Sequence, residues 1–149
     1  MQTALHIQTL VAQLRQEIVG GHITSTEFYK KQRAAYIFVK TARTLSAVGF
    51  VYHPAGAGCF CVAASKVKIE TREKPWPIFG LTEGEVEGVE QEGLDRIFRL
   101  QLSLAGEKRT ILFEALGPNG NLWFLDEPGG KLATLRHKKF EEGELYTAA

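Results

Sequence analysis

Only one stretch of this chain keeps a helical apolar rhythm, and it comes first. Ile7, Leu10, Val11, Leu14 and Ile18 recur at i, i+3, i+4, i+7 and i+11, which places them on one face of an α-helix. Thr9, Gln13 and Gln16 fall on the wet side. Thr3 is a natural N-cap, and Gly20-Gly21 is a natural stop because glycine enters the left-handed conformation cheaply. No comparable rhythm returns after residue 21. A chain with a single helix at its start builds neither a helical bundle nor the alternating strand–helix units of a parallel sheet, so the rest must fold from strands.

The remainder reads as short apolar runs cut by turn signals. His22–Lys30 alternates loosely, and Ala34–Lys40 is apolar enough for a strand buried on both faces. Val48–Tyr52 and Cys59–Val62 flank the turn His53-Pro54-Ala55-Gly56-Ala57-Gly58. Val67 and Ile69 alternate with Lys66, Lys68 and Glu70, the pattern of a strand with one solvated face. Lys74-Pro75-Trp76-Pro77 is a stiff connector and a candidate hinge between two halves. Beyond it, Val86–Gln91, Ile97–Leu104, Thr110–Leu116 and Leu122–Leu125 are separated by Gly93, Ala105-Gly106, Gly117-Pro118-Asn119-Gly120 and Pro128-Gly129-Gly130. Leu132 and Leu135 begin a last strand or turn. Strands spaced this way predict an α+β fold, a long N-terminal helix packed on an antiparallel β-sandwich or barrel of two sheets. At 149 residues the chain has the length of one domain. We place that domain at 1–140 and read 141–149 as a frayed tail or the start of a linker to a further domain.

Charge is balanced overall and uneven along the chain. The net charge is +1, yet residues 1–82 carry ten basic and four acidic side chains, whereas residues 83–149 carry eight and thirteen. A near-neutral chain of this kind can still present a basic face. No signal peptide opens the sequence, and no apolar run approaches the roughly 20 residues that span a bilayer, so the expectation is a cytoplasmic protein with reduced thiols and no membrane partner.

Several chemistries find little support. Cys59 and Cys61 with His53 hint at a metal, but zinc sites take four ligands and no second cysteine pair exists. Buried core thiols on one strand face are the better reading. The stretch Glu83, Glu85, Glu87, Glu90, Glu92 and Asp95 reads as a solvated face. Neither a nucleophile–histidine–carboxylate set in a known local context nor a glycine-rich phosphate loop is present. We expect no enzyme, no metal, no cofactor and no small-molecule substrate. The basic clusters carry more information: Lys30-Lys31-x-Arg33, then Lys66-x-Lys68 with Arg72 and Lys74, then Arg136-His137-Lys138-Lys139. Phe28, Tyr29, Tyr36 and Trp76 lie near the first two. Charge interleaved with aromatic surface is the composition of an RNA platform, although a lone cluster is more often a solvated face. Asp95-Arg96, placed after Gly93 at the start of an apolar strand, is either a turn cap or a directed surface pair.

From end to end the chain resembles the N-terminal domain of the NFACT family, which includes bacterial RqcH (fibronectin-binding protein A-like) and eukaryotic NEMF. The likeness rests on Leu10-Val11-Ala12-Gln13-Leu14-Arg15 closing at Gly20-Gly21-His22-Ile23, on His53-Pro54, and on Gln91-x-Gly93-Leu94-Asp95-Arg96-Ile97. Glu114-x-Leu116-Gly117, Asn121-Leu122, Leu125-Asp126 and the terminal Gly143-Glu144-x-Tyr146 extend it. The resemblance implies a fold like the N-terminal domain of formamidopyrimidine-DNA glycosylases. It also implies a role in ribosome-associated quality control: binding tRNA and the obstructed large ribosomal subunit while a tail is added to the stalled chain. Asp95 and Arg96 map onto the family's tRNA-recognition pair, and Arg99, Gly117, Asn121 and His6 complete the implied RNA-binding set. His6 stands where family members carry an aspartate, and the Phe79–Asp95 stretch is too short for the helix they carry there. An adhesin that binds fibronectin is the alternative that the older family name implies. A glycosylase-related enzyme is a further alternative, against which Gln2-Thr3 replaces the proline–glutamate start that such chemistry needs.

Overall fold

The computed structural model describes residues 2–54 and 58–147. The middle of the predicted turn, Ala55-Gly56-Ala57, lies outside them, as does the end of the tail, Ala148-Ala149.

Helix α1 runs Ala4–Glu17, capped by Thr3, whose hydroxyl accepts from the His6 amide while the His6 ring accepts from the Thr3 amide. Its periodic face is buried as the spacing predicts, with Ile7, Leu14 and Ile18 fully so. The strands are β1 (His22–Tyr29), β2 (Ala34–Lys40), β3 (Leu45–Val51), β4 (Gly58–Ala63), β5 (Glu85–Gln91), β6 (Ile97–Leu104), β7 (Glu107–Glu114), β8 (Asn121–Leu125) and β9 (Lys131–Thr134). All pairings are antiparallel, in the order β4-β3-β2-β1-β5-β6-β7-β8-β9.

The two sheets expected from the sequence are the halves of this one. They join where His22 pairs with Glu85 and where Gly20 and Gly21 bond to Val86. The sheet then curls until its halves face each other, so that Phe50 of β3 meets Phe113 of β7 edge to face across a common core. Helix α1 closes the gap between free edges. Gln2 pairs with both backbone groups of Cys59 (2.5 and 2.6 Å), Gln13 donates to the Cys61 carbonyl (3.1 Å), and Arg15 donates to Val89 of β5 (2.9 Å). Side-chain amides thus occupy the peptide groups that an edge strand would otherwise offer to another chain. Gln13, assigned to the wet side by its spacing, is half-buried for this reason.

Two local expectations fail for the same physical cause, hydrogen-bond partners that periodicity does not encode. Val67–Glu70 alternates half-buried and exposed as predicted, but forms no strand, because no ladder partner lies beside it. It belongs to the extended crossing from β4 to Trp76, whose backbone pairs with Phe28. The described part of the tail, 141–147, expected to fray, docks instead. Lys131 exchanges backbone bonds with Gly143 and Glu144, and Tyr146 bonds to Gly129. Phe140 and Tyr146 then cover Trp123, Ile97, Leu112 and Leu125 on the outer face. The Tyr146 hydroxyl donates to Glu114 at 2.6 Å, and burial, followed by that carboxylate, raises its pKa.

Candidate functional site

The turn between β1 and β2 carries the first basic cluster. Arg33 sits there in the left-handed region (φ 55°), and its carbonyl accepts the Tyr52 amide at 3.0 Å, so Tyr52 lies beside it at the end of β3. The last basic cluster follows β9. Its first member, Arg136, is fixed from several directions. Asn121, 5% exposed, accepts the Arg136 amide at 2.9 Å and donates to the Thr134 hydroxyl at 2.7 Å and the Arg136 carbonyl at 3.3 Å. Arg136 Nη1 donates to the carbonyls of Pro118 (2.8 Å) and Gly120 (2.7 Å), and the guanidinium lies 4.2 Å from the centre of the Tyr52 ring. A guanidinium over an aromatic face is worth about 0.5–2 kcal/mol between exposed and desolvated sites, and here it adds to the two carbonyl bonds that hold Arg136. Burial raises the Tyr52 pKa, against the opposing pull of Arg136 and Arg33.

The fold therefore joins two clusters about a hundred residues apart. Between them runs a groove of about 1080 Å³, whose lining includes Lys30, Arg33, Trp76, Arg136, Lys138 and Lys139. No carboxylate of the described residues lines it. Glu73, nearby, is engaged by the backbone amides of Lys31 (2.9 Å) and Gln32 (3.3 Å). Positive charge against low-dielectric aromatic walls focuses a field that attracts anions. The middle basic cluster, Lys66, Lys68, Arg72 and Lys74, does not line the groove.

The residues of the implied RNA-binding set, His6, Asp95, Arg96, Arg99, Gly117 and Asn121, do not line the groove. Asp95 is exposed on the turn before β6 and accepts the Arg96 amide at 2.8 Å. Leu94 at the tip of that turn is 90% exposed. Gln91 bonds to the carbonyls of both Asp95 and Ala4, which ties the turn to the first turn of α1, where His6 serves the capping box. The Arg96 carbonyl accepts from Ala115, next to the 3-10 turn Gly117–Asn119 that supplies Arg136 with its acceptors. Gly117 (φ 69°) makes that turn, and Asn121 holds Arg136. Arg99 lies apart on β6, paired with Glu92 at 2.7 Å, and lines a second cavity of about 520 Å³ where Lys108 and Arg109 face Glu87, Asp126 and Glu127.

Tyr52 and its partnership with Arg136 escape sequence reasoning, because no local pattern links two residues on different halves of a sheet. The exposed Trp76 beside basic residues is a signal that the composition does carry. Cys59 and Cys61 share the core face of β4, buried and unbridged. Burial raises both thiols. Cys61 also donates to Glu17 at 3.2 Å, and its pKa is pushed up to about 12. Among the described residues no group of three or more His, Cys, Asp or Glu side chains is placed to hold a metal, and no helix is long and apolar enough to cross a membrane.

No protein-family model matches the chain, and no curated protein matches it. Solved structures do. The N-terminal domain of fibronectin-binding protein PavA from Streptococcus pneumoniae is similar at a TM-score of 0.81 and 18% identity, covering 99% of this chain and 61% of that one. The N-terminal part of the fibronectin/fibrinogen-binding protein from Streptococcus suis gives 0.81 and 15%, over 100% and 61%. A fibrinogen-binding protein from Staphylococcus aureus gives 0.79 and 19%, over 99% and 56%. The chain thus spans about three-fifths of these neighbours' length and shares their α+β fold.

Proposed function

We propose that this chain is a non-catalytic RNA-binding module whose partners are tRNA and the large ribosomal subunit, working in ribosome-associated quality control. The observation that supports it most is the groove, where Lys30, Arg33, Arg136, Lys138 and Lys139 converge without an opposing carboxylate among the described residues. A polyanion with regularly spaced phosphates fits such a surface, and binding would release counterions. Asp95 and Arg96 stand outside the groove's lining, on the turn before β6, where an arginine fork and a carboxylate can address phosphate and ribose 2′-hydroxyl groups. The resemblance of the sequence to NFACT proteins supports the ribosomal assignment. Lack of catalysis fits thiols that burial keeps protonated and a Gln2 side chain committed to the Cys59 backbone.

A second reading is favoured by the names of the structural neighbours, which are fibronectin- and fibrinogen-binding proteins. On that reading the chain belongs to a surface adhesin. One experiment separates the two: the same preparation is titrated against labelled tRNA and against fibronectin at physiological ionic strength. Salt-sensitive tRNA binding with no response to fibronectin supports the RNA module. Fibronectin binding without tRNA binding replaces it with the adhesin.

A further inference from the structure

Trp76 is placed unlike any other large apolar side chain near the groove. The chain's second tryptophan, Trp123, is 1% exposed, whereas Trp76 is 66% exposed and lines the groove wall. Its position is not slack. The Phe28 amide donates to the Trp76 carbonyl at 2.8 Å, and the Trp76 amide donates to the Phe28 carbonyl at 2.9 Å. Pro75 and Pro77 flank it and restrict the backbone on either side. Among the described residues no aromatic ring stacks on the indole and no cation lies over it, whereas the Tyr52 ring is covered by Arg136. A rigidly mounted indole therefore offers its face to whatever enters a cationic groove.

We infer that the groove takes an unpaired nucleotide, its base stacked on Trp76 and its phosphate held at the Arg33–Arg136 end. The inference rests on the RNA reading above and narrows it to single-stranded segments. Every base has a π-face that an indole can cover, but in a duplex both faces are already occupied by neighbouring pairs. Phosphate recognition is arranged beside it. Nη1 of Arg136 is held by two carbonyls and its plane by Tyr52, so the rest of the fork is fixed in direction before a ligand arrives. Lys30 and Arg33 add charge to the same groove. An acidic peptide would meet the same field but has no flat ring for the indole to cover.

The test uses the intact chain and three labelled probes followed by fluorescence anisotropy: a single-stranded oligouridylate, an RNA duplex of the same length, and polyglutamate. Wild type is expected to prefer the oligouridylate. Trp76→Ala should weaken that binding about tenfold or more while leaving the duplex unaffected, and Trp76→Phe should keep most of the affinity. Trp76 is exposed and bonds to Phe28 through its backbone, so both variants should fold, as a matching melting curve would confirm. Unchanged oligouridylate binding by Trp76→Ala, or equal binding of polyglutamate, overturns the inference and leaves the RNA module standing. Failure of wild type to bind either RNA overturns both.

Discussion

Replacing Asn121 with alanine should unseat Arg136 while leaving the other cations of the groove in place. The side chain is 5% exposed and accepts the amides of Leu122 and Arg136, each at 2.9 Å. Alanine offers neither an acceptor. A buried donor left unpaired costs about 1–3 kcal/mol, so the two together amount to roughly 2–6 kcal/mol. In a domain of this size such a loss lowers the melting temperature by roughly 4–24 °C. Thermal unfolding followed by near-ultraviolet circular dichroism reads it, because the buried Trp123 loses its fixed environment on unfolding. RNA affinity measured below the transition should fall as well, since Arg136 no longer has a fixed backbone from which to reach Gly120 and Tyr52. Asn121→Asp keeps an acceptor for both amides and should recover part of the stability. A melting temperature for Asn121→Ala close to that of wild type, with undiminished RNA binding, would refute the reasoning.

Other perturbations address separate parts of the molecule. Leu14→Ala removes a fully buried side chain from the helix–sheet contact and should cost on the order of 2–5 kcal/mol in urea unfolding. Ellman's reagent at mildly alkaline pH should find neither cysteine reactive in the native chain and both reactive in denaturant. Cys61 has a folded pKa near 12 against an ordinary value of 9.0, so the folded state retains a proton that the unfolded state releases. Stability should therefore decline as pH rises from about 9 towards 12, and a flat alkaline profile would contradict the burial argument. Arg96→Ala should weaken tRNA association several-fold with little change in melting temperature. The reverse outcome would make the Asp95–Arg96 pair scaffolding.

The helix was legible because its evidence is local: Ile7 to Ile18 share one face whatever surrounds them. Strand existence was legible wherever glycine and proline punctuated apolar runs, as at Ile97–Leu104, whose bounds agree with the structure. Alternation at Val67–Glu70 was real but reports half-burial, not pairing, and burial alone does not make a ladder. The tail escaped because Tyr146 finds Glu114 and Trp123, which stand on strands more than twenty residues earlier. The candidate site was legible in its ingredients and not in its assembly. Its basic clusters stand out in the sequence, whereas Asn121 and Gly117, implied as contact residues, are seen to shape and hold Arg136. Tyr52 carries no local mark of its role, because only the curl of the sheet brings it beneath a guanidinium from the other half.

The most direct test of an RNA-binding groove is the salt dependence of tRNA affinity for wild type and for the double variant Lys138→Glu/Lys139→Glu. Both lysines are exposed and line the groove, so the substitutions should leave the fold intact. Wild-type affinity should fall linearly with salt on logarithmic axes. The variant should bind more weakly with a slope shallower by about one for each phosphate contact removed. Equal slopes and equal affinities for the two proteins, or tRNA binding that ignores salt, would contradict the groove as the site of RNA recognition.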